Sequence, residues 1–194
     1  MRLLRNILLA ILVSALTGCG WEGFSGYAPL TLFDNFYVIA PGTAYRSAQL
    51  DGPTLGLVIE QAGIRTVINL RGENVGEKWY ENEKAVCEEA GVTLVDIRMS
   101  AKALPPREVL LQLYDTFLSA EYPILMHCNG GADRSGAAAA IWRMTVQGDD
   151  RAAAAEELDL CYGHFASVTP LMDELVRVYE PDRDWIEQEY VGGE

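Results

Sequence analysis

Short apolar runs that alternate with helix-like segments constrain the fold of this chain more than any other feature. The runs RTVINL (65 to 70), TLVDI (93 to 97) and PILMHC (123 to 128) are short, bounded by turn residues and rich in branched side chains, as buried strands are. Between them, Glu77 to Ala90 has helical character with Gly91 as its stop, and Pro105-Pro106 opens another helical segment running to about Ala120. Asp51 is placed to cap a helix from Pro53 to about Ala62, because proline suits a first turn and Gly63 suits the position past the end. Phe36 to Ile39 and Ala44 to Ser47 read as two further strands around a Pro41-Gly42 turn. The alternation predicts an α/β fold with a central, mainly parallel sheet flanked by helices. Ligands of such sheets gather at the carboxyl ends of the strands.

The strand ending at Cys128 delivers the densest reactive cluster to that end: HCNGGADRSG, residues 127 to 136. A helix with four alanines, Ala137 to Ala140, is expected from Ser135 to Gln147, so Asn129 to Arg134 must curl tightly between strand and helix. Gly130 and Gly131 permit dihedrals closed to other residues. Curling of this kind turns amide hydrogens inward, and the helix adds free amides and a positive dipole end. Asn129, Gly130, Gly131, Ala132, Asp133 and Arg134 therefore form a candidate phosphate-binding loop. Cys128 lies at its base, where amide dipoles and Arg134 favour thiolate over thiol. The planar fork of Arg134 can hold two oxygens of a tetrahedral phosphate. These residue types suit transfer of a phosphoryl group to sulfur, followed by hydrolysis.

His127-Cys128-Asn129-Gly130-Gly131-Ala132-Asp133-Arg134-Ser135 resembles the His-Cys-x5-Arg-Ser/Thr loop of the cysteine-dependent protein tyrosine and dual-specificity phosphatases. Tyr45-Arg46-Ser47-Ala48-Gln49, Val67-Ile68-Asn69-Leu70-Arg71 and Tyr162-Gly163-His164 are similar to segments of the compact bacterial members, so the resemblance spans roughly residues 36 to 180. It implies the cysteine phosphatase fold and metal-free, cofactor-free hydrolysis of phosphomonoesters. By the same resemblance Cys128 is the nucleophile, Arg134 the phosphate clamp, Ser135 the group that eases sulfur's departure, and His127 the residue that orders the loop. Members of the family often supply the leaving-group proton from an aspartate in the loop preceding the motif helix. The corresponding loop, Arg98 to Pro106, holds no carboxylate. Asp133 is the expected acid instead, with Asp96, at a strand end, as the other candidate. Arg46 and Arg71 are expected to pair with nearby carboxylates rather than lean into the site, and His164 to be a structural hydrogen-bonding residue.

The chain begins with Arg2 and Arg5, an apolar run from Ile7 to Leu16, and Leu16-Thr17-Gly18-Cys19, which resembles the lipobox of bacterial lipoproteins. Expected divisions are a signal peptide over 1–18, a tether over 19–35 and a phosphatase domain over 36–190. Cys19 would carry the lipid, and Gly20 after it implies an outer-membrane anchor facing the periplasm. The formal charge is −13, and loss of Arg2 and Arg5 makes it more negative, which argues against nucleic acid as a partner. Expected substrates are a phosphorylated protein or a phospholipid, inositol phosphate or other small phosphate ester. A sulfurtransferase and a phosphate-binding module without turnover are the rival readings of the loop. Cysteine and histidine spacing matches no zinc pattern. A Cys87–Cys161 bridge is geometrically open from sequence alone.

Overall fold

Strand β1 (Tyr37–Ala40) pairs antiparallel with β2 (Ala44–Ser47), and every other pairing in the five-stranded sheet is parallel. The computed structural model of the chain describes Leu30 and residues 34 to 193. With β3 (Thr66–Asn69), β4 (Thr93–Asp96) and β5 (Ile124–His127), the order is β1-β2-β5-β3-β4. The motif strand β5 is therefore central, flanked on both sides by parallel neighbours. Its last residue, His127, is in register with Ser47 of β2 and Asn69 of β3.

Helix α1 (Gly52–Ala62) begins where expected: the Asp51 carboxylate accepts the Thr54 amide at 2.8 Å, and Gly63 ends the helix with φ 65°. Leu55, Val58, Ile59 and Ala62 recur at helical spacing and bury one stripe. Together with Cys87 of α2 (Lys78–Ala90) they cover the sheet face that presents Tyr45, Val67 and Leu125. The opposite face presents Ala44, Ile68, Ile124 and Met126 to α3 (Arg107–Ser119) and α4 (Asp133–Trp142). Adjacent strand residues thus point into different cores, which is why the strands read as continuous apolar runs.

Helix α4 starts at Asp133, two residues before the sequence expectation of Ser135, so Asp133 and Arg134 belong to its first turn. It ends at Trp142 and continues as a π-helical turn, Arg143–Gln147, closed by Gly148. Ala137 to Ala140 are fully buried. Side chains of one carbon let this helix lie against the sheet with its amino end at the tip of β5. Beyond it, α5 (Arg151–Ala155), two short 3₁₀ turns (Glu156–Leu158 and Leu160–Tyr162), α6 (Pro170–Val178) and α7 (Arg183–Gln188) complete that layer.

Two structural observations bear on points the sequence left open. Cys87 is a free, buried thiol, so it does not bridge to Cys161. Asp34 and Asn35, assigned from sequence to the tether, are already bonded to the domain: the Asp34 carbonyl accepts the Ala48 amide, and Asn35 reaches the motif loop. Cys19 and the proposed signal segment lie outside the described residues.

Candidate active site

The loop that begins at Cys128 is held from behind by residues far away in sequence. Arg46, wholly buried at the centre of β2, donates from Nη2 to the carbonyl oxygens of Gly131 and Ala132, each at 2.9 Å. Its Nη1 bonds the Glu157 carbonyl and carboxylate, and its guanidinium carbon lies 4.6 Å from the Tyr162 ring centre. Fixing carbonyls outward leaves the loop's concave side to amides. Asn35 Nδ2 clips the loop's front, donating to the Gly130 carbonyl at 2.8 Å and to that of Tyr162 at 2.9 Å. The Gln49 amide bonds the Asn129 carbonyl at 3.2 Å.

Gly131 shows why the motif needs glycine. Its φ is +69°, and a Cβ there would stand 2.5 Å from the Ala48 nitrogen. That close approach brings the Gly131 amide to 3.2 Å from Cys128 Sγ. Ser135 Oγ faces the same sulfur at 3.5 Å. Cys128 is almost fully buried, and burial alone would push its thiol up. The Ser135 hydroxyl and amide, the Arg134 charge and the Gly131 amide act against burial, and the net result is a thiol held below its ordinary range.

Arg134 Nη1 rests on the carbonyls of Leu70 (3.3 Å) and Met99 (3.4 Å), the loops after β3 and β4. The loop after β4 therefore reaches the site through the Met99 carbonyl, and from Arg98 to Pro106 it holds no carboxylate. Of the two candidate acids, Asp96 is spent on structure: Oδ1 accepts Asn69 Nδ2 and Oδ2 accepts the Tyr80 hydroxyl, each at 2.7 Å. Asp133 is placed differently. Its Oδ1 accepts the Thr169 hydroxyl at 2.6 Å and contacts His164 Nδ1 at 2.8 Å, while among the described residues Oδ2 has no bonded partner. His164 is itself buried, with Nε2 2.9 Å from Asp173 Oδ2.

His127 stands at the loop's entrance with Nδ1 3.3 Å from the Cys128 carbonyl oxygen. Its Nε2 lies 3.1 Å from the buried Glu83 carboxylate, close enough for attraction but outside good hydrogen-bond alignment, which leaves that nitrogen without a hydrogen bond. Glu83 also accepts from Gln49 Nε2.

Asn129 to Ala132 form the turn between β5 and α4, and the Gly131 amide and Ser135 hydroxyl face Cys128 Sγ. Arg46 pairs with a carboxylate, as expected of it. Arg71 departs from that expectation, since among the described residues no carboxylate bonds it: it donates to Gln49 Oε1 at 3.0 Å and stacks 3.5 Å over Trp79. Asn35, Gln49 and Glu83 were not singled out as site residues. Glu83 had one legible signal, a carboxylate on the inner stripe of α2 four residues before Cys87. Among the described residues, no group of acidic, histidine or cysteine side chains is arranged to hold a metal.

Comparison with known proteins agrees with this geometry. Residues 44–169 match the family described as DSP-PTPase phosphatase fused to NAD+ Kinase. The dual specificity protein phosphatase TpbA of Pseudomonas aeruginosa is 29% identical in one strain and 30% in another, over 161 residues that cover 82% of this chain and 68% of the relative. The crystal structure of TpbA superposes with a TM-score of 0.63 at 26% identity, covering 81% of this chain and 91% of that one. The core catalytic domain of the PP-IP phosphatase Siw14 from S. cerevisiae shares the fold, with a TM-score of 0.62 at 20% identity over 77% of this chain and 88% of that one. The chain belongs to the DSP-PTPase phosphatase family and is a cysteine-based phosphatase with the α/β fold of that group.

Proposed function

We propose that the chain removes phosphate from phosphotyrosine-type protein substrates, with Cys128 as nucleophile and Arg134 as phosphate clamp. The supporting observation is the environment of Cys128 Sγ: an amide at 3.2 Å, a hydroxyl at 3.5 Å and a thiol held low. In the first step Sγ attacks phosphorus, the P–O bond to the leaving group breaks, and the phosphoryl group moves to sulfur. In the second, water attacks phosphorus and sulfur leaves as thiolate, with Ser135 Oγ positioned to donate a hydrogen bond to it. Arg134 would leave its two carbonyl contacts, both longer than ordinary, to take two phosphate oxygens bidentately.

Asp133 is assigned as the acid. His164 lies between two carboxyl groups, with Nδ1 2.8 Å from Asp133 Oδ1 and Nε2 2.9 Å from Asp173 Oδ2. These contacts and the Thr169 hydroxyl hold Asp133 through Oδ1, so Oδ2, which has no bonded partner among the described residues, is the oxygen that would carry the proton to the leaving group. The phosphatase TpbA, similar over most of this chain, supports a protein substrate.

The test is hydrolysis of p-nitrophenyl phosphate and of a phosphotyrosine peptide by the wild type, Cys128→Ser and Asp133→Asn. The nitrophenolate leaves with little help, whereas tyrosine needs a proton. Cys128→Ser is expected to abolish both activities, and Asp133→Asn to lower the peptide rate about 10²-fold with a much smaller effect on the activated ester. Equal loss on both esters would remove Asp133 from the role of acid.

For the amino-terminal segment, the same reading places a lipid on Cys19 and the domain at the outer membrane, facing the periplasm. Arg2, Arg5, the apolar run and Leu16-Thr17-Gly18-Cys19 support it. Metabolic labelling with a palmitate analogue, lost in Cys19→Ala, tests this.

A further inference from the structure

Arg71 is a cation beside the phosphate loop with most of its hydrogen-bonding capacity unspent. It follows Leu70, whose amide bonds the His127 carbonyl at 2.9 Å and whose own carbonyl takes Arg134 Nη1. Gln49 ties the Arg71 side chain to the same place, because its amide bonds Asn129 of the loop while its Oε1 accepts Arg71 Nη1. Trp79 supports the guanidinium from beneath at 3.5 Å. A guanidinium has five N–H donors, and among the described residues this one makes a single hydrogen bond.

The charge arrangement is unusual for a structural arginine. Burial, and then the charge of Arg134, hold the Arg71 guanidinium below its ordinary value, while Glu83, Cys128 and Glu77 act in the other direction. Neither glutamate bonds it: Glu83 is engaged by Gln49 and lies against His127. Two guanidinium groups are thus held near Cys128, without a carboxylate bonded to either among the described residues, in a chain of net charge −13. A guanidinium stacked on an aromatic ring beside a phosphate clamp, with donors left over, has the chemistry to take an anion.

We propose that Arg71 forms a second anion subsite next to the Cys128–Arg134 loop, so that substrates carrying a second phosphoryl group close to the one removed are preferred over isolated monoesters. The proposal rests on the phosphatase reading of the loop and adds the chemical class of substrate to it. One phosphate sits in the loop, and its neighbour accepts two N–H donors of Arg71.

The test is competition against p-nitrophenyl phosphate hydrolysis by orthophosphate and by methylenediphosphonate, whose P–C–P bridge resists cleavage. The wild type is expected to bind the diphosphonate at least about tenfold more tightly than orthophosphate, the gain of a charge-assisted bidentate contact. Arg71→Gln should bring that ratio below about threefold, and Arg71→Lys, which keeps the charge but not the fork, should fall between. A wild-type ratio near one, or a ratio that persists in Arg71→Gln, overturns the subsite. The same two anions titrated calorimetrically into Cys128→Ser give the ratio without turnover. Absence of ester hydrolysis with the ratio intact would therefore count against the phosphatase reading alone, and hydrolysis with no ratio against the subsite alone.

Discussion

Arg46 and Glu157, 111 residues apart in sequence, meet at 2.9 Å with both side chains almost entirely removed from water. The pair lies under the phosphate loop, because the other arm of Arg46 holds the carbonyls of Gly131 and Ala132. Arg46→Met removes the cation and leaves Glu157 a buried charge with only Arg143, at 3.4 Å, as its cationic partner. A loss of about 3–5 kcal/mol is expected. Urea unfolding should show it, and Arg46→Met combined with Glu157→Gln should recover part of it.

Gly131→Ala forces a side chain onto the Ala48 nitrogen at a backbone conformation that alanine avoids. The loop must shift, and the amide that reaches Cys128 shifts with it. Turnover of p-nitrophenyl phosphate should fall by at least about 10²-fold, since misplacement near 1 Å costs that much at a reacting centre. Gly130→Ala is the control: a Cβ there meets no atom within 4 Å, so its effect should be far smaller.

Thiol reactivity should separate the two free cysteines. The Cys128 thiol is held below its ordinary range, which favours the reactive thiolate, whereas burial and then the Glu83 charge push the Cys87 thiol up to about 12. Iodoacetamide at pH 7 followed by mass spectrometry is expected to label Cys128 and leave Cys87 intact. In Ser135→Ala a main opponent of burial is gone, so the Cys128 thiol rises. The pH midpoint of its alkylation, and the acid limb of kcat/KM, should then move to higher pH.

His164→Phe removes the ring that joins Asp133 to Asp173 and keeps its bulk. If the ring positions Asp133 for the leaving group, the phosphotyrosine peptide should be affected more than p-nitrophenyl phosphate. A merely packing role would lower both substrates together.

Local chemistry carried the legible part of this fold. Asp51 and Gly63 mark the ends of a helix because capping depends on residues within a few positions of each other. The strands were legible because burial on both faces leaves uninterrupted apolar runs. The motif loop was legible because cysteine, glycine and arginine are crowded into one turn. What sequence did not give was tertiary pairing. Arg46 finds Glu157, Gln49 bridges Arg71 to the loop, and Glu83 is buried beside His127, all through contacts that no spacing encodes. The start of α4 at Asp133 was missed for a related reason: three loop carbonyls are held by Arg46 and Asn35, which frees the chain to enter the helix two residues earlier.

Asn35 adopts φ 43°, a conformation asparagine tolerates better than most residues, and from there its amide grips the loop at Gly130. The catalytic turn is therefore partly built by the segment through which the chain enters the domain. Anyone shortening the protein for expression has a sharp boundary to respect: a start after residue 35 removes one jaw of the site, while a start before Asp34 keeps both.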